Sequence, residues 1–201
     1  MNHTLSSLPR RGMRALGLAA ALALGAAVMT GCTTTPAGSE ASGPTARAAM
    51  EREVDATLAR LYSTVPGTQE MVQRSAGVLV FPSIVGGSFV VGAAHGQGAL
   101  REGGQTTRYY STTAGSVGLQ AGGQSRAVVY VFNTREALEK FKASNGWIAG
   151  ADATVAIGKV GANGMVDSQT AQQPVASFIL TNVGLEAGAS VGAAKITPIS
   201  L

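Results

Sequence analysis

Residues 76–100 read AGVLVFPSIVGGSFVVGAAHGQGAL, two apolar runs punctuated by glycine, with His95 the only side chain able to carry a charge. Gly77 to Phe81 is a continuous β-favouring run, and Pro82, which has no N–H to give a ladder, predicts an edge or a turn at that point. After Gly86-Gly87, residues Ser88 to Leu100 alternate small with larger side chains, and Gly92, Gly96 and Gly98 fall on one parity. In a strand they share a face. That face is almost bare, so a second backbone can approach it closely or the sheet can coil tightly.

Downstream the same chemistry repeats. Glu102-Gly103-Gly104-Gln105 reads as a hairpin turn into a strand over Thr106 to Thr112, and Gly115 to Gly122 reads as another glycine-spaced strand. Gly122-Gly123 turns into Arg126 to Phe132, whose run Ala127 to Phe132 has the apolar continuity of a central strand. Asn133 or Thr134 caps a helix over Thr134 to Ala143, with Glu136 three residues after Asn133 as in a capping box, and Leu138 and Phe141 form its buried face. Ala149 to Gly158 returns to strand, Gly161 to Gly164 is a turn, and Val175 to Thr181 and Gly184 to Ile196 are two closing strands.

Upstream, Met50, Val54, Leu58 and Leu61 make one stripe of a helix from about Thr45 to Tyr62, with Pro44 just ahead of it. Its polar face mixes charge signs and it lacks Trp or Phe anchors, so the stripe belongs on the sheet rather than on lipid. A short helix, Thr68 to Arg74, follows Pro66. The fold class is α+β: a coiled, mostly antiparallel glycine-rich β-sheet, barrel-like, with an N-terminal helix and a mid-chain helix packed on it.

The first 32 residues have the parts of an export signal. Arg10, Arg11 and Arg14 form a basic start, Ala15 to Met29 is an uncharged apolar run, and Thr30-Gly31 is a small-residue exit before Cys32. At about 1.5 Å per residue the run is too short to cross a hydrocarbon core of roughly 30 Å, so it is a cleaved signal rather than an anchor helix. Met29-Thr30-Gly31-Cys32 resembles the bacterial lipobox, with Met where Leu is usual. The resemblance implies an acylated, palmitate-bearing Cys32 as the mature N-terminus. Thr33 in place of Asp then implies the outer membrane, with the domain facing the periplasm. Residues 33–46, small, polar and Pro-bearing, read as a disordered tether with an r.m.s. span of roughly 20 Å. The expected organisation is a signal peptide over 1–31, a lipidated tether over 32–46 and one domain over 47–201.

Composition removes several function classes. Hydrophobic residues make up 45% of the chain and charged residues only 13%, so solubility rests on Gly, Ser, Thr, Gln and Asn. The net charge of +4 loses three arginines with the signal, leaving 12 basic against 11 acidic side chains. The only basic pair outside the signal region that stands out, Lys140 and Lys142, sits beside Glu136 and Glu139, which is no nucleic-acid footprint. One cysteine excludes an intrachain disulfide and any Cys-rich metal site.

Catalytic chemistry has few carriers. His95 is the sole histidine of the mature chain and has no acid near it in sequence, so a structural or incidental role is expected. Asp152 and Glu186 are the best-placed acids, and in so sparsely charged a domain they are expected to bind turn amides. An enzyme would need His95, Asp152 and Glu186 in one cleft. Gly96-Gln97-Gly98 is no phosphate loop, because neither a Lys-Ser/Thr pair nor a helix start follows. Trp147 reads as a core plug or loop anchor. No metal and no cofactor is expected.

Several motifs occur together in the order seen in SYLF domains. These are Val78 to Pro82, Gly86 to Gly92, Gly96-Gln97-Gly98, Ser116 to Gly122, Val129 to Leu138, Gly150 to Ala153 and Gly184 to Gly188. The chain resembles a bacterial SYLF-domain lipoprotein over about Val54 to Ile196. Eukaryotic members of that family bind membrane phosphoinositides, and the yeast member also binds actin. Many relatives carry a basic residue just before Gly86, where this chain has Ser83-Ile84-Val85, and bacteria generally lack both ligands. The resemblance therefore implies lipid or envelope association without established chemistry. The expected function is a non-catalytic envelope lipoprotein whose domain binds lipid or another envelope component; the alternative is a structural or protein-interaction module.

Overall fold

The computed structural model describes residues 43–87, 91–117, 124–161, 163–182, 184–185 and 194–201. All of them belong to one unit, Ala41–Leu201. The signal, Cys32 and most of the tether lie outside the described residues, as do Ser88 to Val90, Gly118 to Gly123 and Glu186.

Helix α1 (Pro44–Thr64) is followed by α2 (Thr68–Arg74), β1 (Gly77–Gly87), β2 (Val91–Glu102), β3 (Gln105–Val117) and β4 (Gln124–Phe132). Then come α3 (Arg135–Ala143), β5 (Trp147–Ile148), β6 (Ala156–Ile157), α4 (Ser168–Gln172), β7 (Val175–Thr181), β8 (Gly184–Leu185) and β9 (Lys195–Ile199). The strands form one curled half-barrel sheet in the order β5-β9-β3-β2-β1-β4-β7-β6, with β8 also on β7. Every pairing is antiparallel except β6 with β7. The fold is therefore the α+β architecture that the residue pattern predicts.

Both faces of the sheet are covered. On one, Val78, Val80, Ala99, Val129, Val131 and Phe178 pack with Met50, Val54, Leu58 and Leu61 of α1 and Met71 of α2. On the other, Leu79, Phe81, Leu100, Tyr130 and Phe132 pack with Leu138 and Phe141 of α3 and with Trp147. Strands β1, β4 and β7 are thus buried on both sides, which is why their sequences are continuous apolar runs rather than alternations. Trp147 is 3% exposed, and its ring centroid lies 5.4 Å from that of Phe141 and 5.8 Å from that of Tyr130. It plugs the core.

Several expectations need correction. Pro82 marks neither an edge nor a turn: β1 continues through it to Gly87 and lies between β2 and β4. The strand bulges there, its register shifting between Val80 and Ser83 against β2 and between Phe81 and Ile84 against β4. Pro82 falls in both gaps, so neither ladder needs its missing N–H. Strand β3 runs unbroken to Val117, so the two strands expected over Thr106 to Thr112 and from Gly115 are one. Over Ala149 to Gly158 only Ala156–Ile157 is strand, because Gly150, at φ +84°, folds a turn closed from Gly150 N–H to the Ala153 carbonyl. Gly184 to Ile196 holds β8 and the start of β9 rather than one described strand. Helix α1 takes Pro44 as its first residue instead of starting behind it, a position where the absent N–H has no intrahelical role. Helix α4, capped by Asp167 Oδ2 from the Thr170 N–H, was not legible in so short a polar run.

The capping box on α3 is absent. Thr134 caps the helix by accepting the Ala137 N–H at 3.2 Å, while the Asn133 amide donates to the Gln173 carbonyl at 2.7 Å. Glu136 instead pairs with Lys140 on the exposed face.

Candidate binding site

The parity of Gly96 and Gly98 is explained by the bulge across from them. A Cβ on Gly98 would collide with the Val80 carbonyl oxygen and the Phe81 ring, and one on Gly96 would sit 2.6 Å from the Ser83 oxygen. At Gly96 and Gly98 the bare face is closed by the backbone of β1, not left open for a ligand. A glycine at these positions is what lets a bulged central strand lie flush on its neighbour.

An open space lies on the helical side. A cleft of about 430 Å³ is bounded by Leu58 and Tyr62 of α1, Val72 of α2, Val78 of β1, and Arg101 with Gly103 at the β2–β3 turn. Its position follows from the turn chemistry: Gly103 and Gly104 take φ of +60° and +83°, the left-handed pair of a tight hairpin. That hairpin delivers Arg101 to the foot of α1.

Arg101 is the electrostatic centre of this corner. Its Nη1 donates to Asp55 Oδ1 at 2.6 Å and its Nη2 to Glu51 Oε2 at 2.8 Å. Glu51 also accepts the Thr106 hydroxyl at 2.8 Å and the Tyr109 hydroxyl at 3.1 Å. The arginine side chain is 12% exposed, and its Nε is buried with no hydrogen-bond partner. Burial alone would lower the Arg101 pKa, but the hydrogen bonds and charges of Asp55 and Glu51 hold it above its ordinary value. Burial likewise pushes Glu51 up, and the donors from Arg101, Thr106 and Tyr109 outweigh it, leaving the carboxyl below its ordinary value. Burial raises the Tyr62 hydroxyl against the opposing charge of Arg101, so it stays protonated at neutral pH. One guanidinium faces two carboxylates. Arg101 is the one charged residue that lines the cleft, its charge offset from behind by Glu51 and Asp55, and Leu58, Val72 and Val78 give the cleft an apolar floor.

The residues singled out from sequence fall elsewhere. His95 is on β2, exposed, with Nδ1 3.4 Å from the Thr113 hydroxyl. Asp152 accepts the Ile148 N–H at 2.6 Å, the turn-amide role expected of it. His95 pairs with Thr113, Thr113 with Lys195 and Lys195 with Ile148 across successive strands. At about 4.8 Å per strand step, His95 and the Asp152 turn stand three steps, roughly 14 Å, apart. They share no cleft; Glu186 lies outside the described residues. Among the described residues no group of three His, Cys, Asp or Glu could hold a metal, and no helix is long and apolar enough to cross a membrane. Arg101 and Glu51 went unmarked in the sequence. Their only signal was a lone basic residue ahead of a Gly-Gly turn and a carboxylate flanking the α1 stripe, which become partners only when the hairpin folds.

Residues 113–199 match the family model Ysc84, described as Las17-binding protein actin regulator. The matched segment holds β4, α3, β7 and β9. The cleft residues precede it. No curated protein matches the chain.

Proposed function

We propose that the chain is a non-catalytic lipoprotein of the outer membrane whose domain is of the Ysc84 (SYLF) type, a family of lipid-binding or protein-interaction modules whose model residues 113–199 match. In this reading residues 1–31 are removed and Cys32 is acylated. The tether then holds the domain at the periplasmic face, where it binds lipid or another envelope component. The observation that carries the reading is the placement of the chain's one cysteine directly after an apolar run and a Thr-Gly exit. Each buried acyl methylene contributes about 0.8 kcal/mol, so the two or more chains of a lipoprotein anchor it stably where one would not.

The domain's architecture supports binding over chemistry. Two of its acids are committed to structure, Asp152 to a turn amide and Glu51 to a three-donor network, and the cleft offers a half-buried hydroxyl and an apolar floor. Two measurements test the two halves separately. Replacing Cys32 with Ser should move the protein out of the membrane fraction, and persistence there would contradict the anchor. Unlipidated domain should co-sediment with vesicles of phosphatidylethanolamine and phosphatidylglycerol. If no bacterial lipid retains it while crosslinking in intact cells recovers a partner protein, the interaction-module reading takes its place.

A further inference from the structure

The chain has two Asn-Gly pairs, Asn145-Gly146 and Asn163-Gly164, and the fold treats them oppositely. Asn163 is locked: its Oδ1 accepts the Met165 N–H at 3.1 Å, and the Gly164 N–H donates to the Gly161 carbonyl at 3.0 Å in a turn with φ +76°. Asn145 is exposed in the bend between α3 and β5, and its side chain makes no hydrogen bond among the described residues. The Gly146 N–H is held by the Ser144 hydroxyl oxygen at 3.2 Å. Lys195 of β9 lies over the same peptide, its Cε 3.1 Å and its Nζ 3.9 Å from where a Gly146 Cβ would stand.

We propose that Asn145 is a self-modifying site, converted to aspartate and isoaspartate within the folded domain, with Ser144 and Lys195 promoting the step. The Gly146 nitrogen attacks Cγ of Asn145, forming a C–N bond while the Cγ–Nδ2 bond breaks. Ammonia leaves with the proton that Gly146 loses, and water then opens the succinimide at either carbonyl. Ser144 Oγ already accepts the hydrogen bond of the N–H whose proton must depart, and its hydroxyl can relay that proton to the leaving ammonia. The Lys195 ammonium, 3.9 Å from where a Gly146 Cβ would stand, brings positive charge to the peptide at which the tetrahedral intermediate forms. Glycine is what makes the attack possible, since any side chain at 146 would crowd it and would press on Lys195.

The position makes the change felt. Isoaspartate inserts a methylene into the backbone two residues before Trp147, whose ring holds β5 against Tyr130 and Phe141. Trp147 is the only tryptophan, so its emission reports the shift.

The test ages the full chain in mildly alkaline buffer at body temperature and maps isoaspartate by proteolysis and mass spectrometry. Asn145 should convert while Asn163 remains an amide, and Ser144→Ala and Lys195→Gln should each slow conversion several-fold with the fold intact by circular dichroism. Trp147 emission should change in step with conversion and stay constant in Asn145→Gln. Conversion of Asn163 as fast as Asn145, or an unchanged rate at Asn145 in both variants, would overturn the proposal.

Discussion

At Gly98 the space for a side chain is already taken by the Val80 carbonyl and the Phe81 ring. Gly98→Ala must push apart two central strands whose backbones cannot yield. It should destabilise the domain by about 2 kcal/mol, in the middle of the range of overpacking effects, read as a lower urea midpoint. Gly103→Ala is different in kind, since nothing lies within 4 Å of its Cβ but φ is +60°. It should cost about 1 kcal/mol through backbone strain alone. The one-parity glycines were visible in the sequence and so was their consequence, close approach of another backbone. What pressed on them was not, because Pro82 read locally as a stop and only the pairing of β1 on both sides turns it into a bulge.

The elements are joined by a few polar clips whose value depends on burial. Arg101 clips α1 to β2, and Lys142 clips α3 to the same strand through Glu102 at 3.1 Å. Arg101→Met removes charge-assisted bonds to both Glu51 and Asp55 while retaining an apolar stem. A loss of about 2 kcal/mol is expected, part of it offset because the unpartnered Nε–H is no longer buried. On α3, Thr134→Ala should cost about 1 kcal/mol for the lost cap. Glu136→Ala should cost less than about 0.5 kcal/mol, since its pair with Lys140 is exposed. Thermal melts of the two variants side by side separate the observed cap from a capping box. The stripe of α1 was legible because 3.6-residue periodicity is a local property. The short β5 and α4 were not, because their form is imposed by the edges they meet, and β6 is all that forms of the strand expected over Ala149 to Gly158.

For the whole molecule, acid is the condition that unfastens it. Glu51 and Glu102 both lie below their ordinary carboxyl value in the folded chain. For Glu102, burial pushes upward and the Thr107 and Lys142 hydrogen bonds overcome it. A depressed folded pKa contributes stability that is complete above the ordinary value of 4.5 and is lost as pH falls through the lower folded value. The melting temperature should therefore drop on acidification below that value, with a shallower drop in Glu51→Gln. Equal slopes would show that the α1 clip does not titrate as described.

At the same scale, the binding domain is proposed to be held to a membrane by one lipidated cysteine, Cys32. The most direct test is intact mass spectrometry of the protein extracted from bacterial membranes. A mature chain beginning at Cys32 and carrying diacylglyceryl and amide-linked acyl groups is expected. A chain that retains Met1, or one that begins elsewhere with Cys32 unmodified, would contradict it.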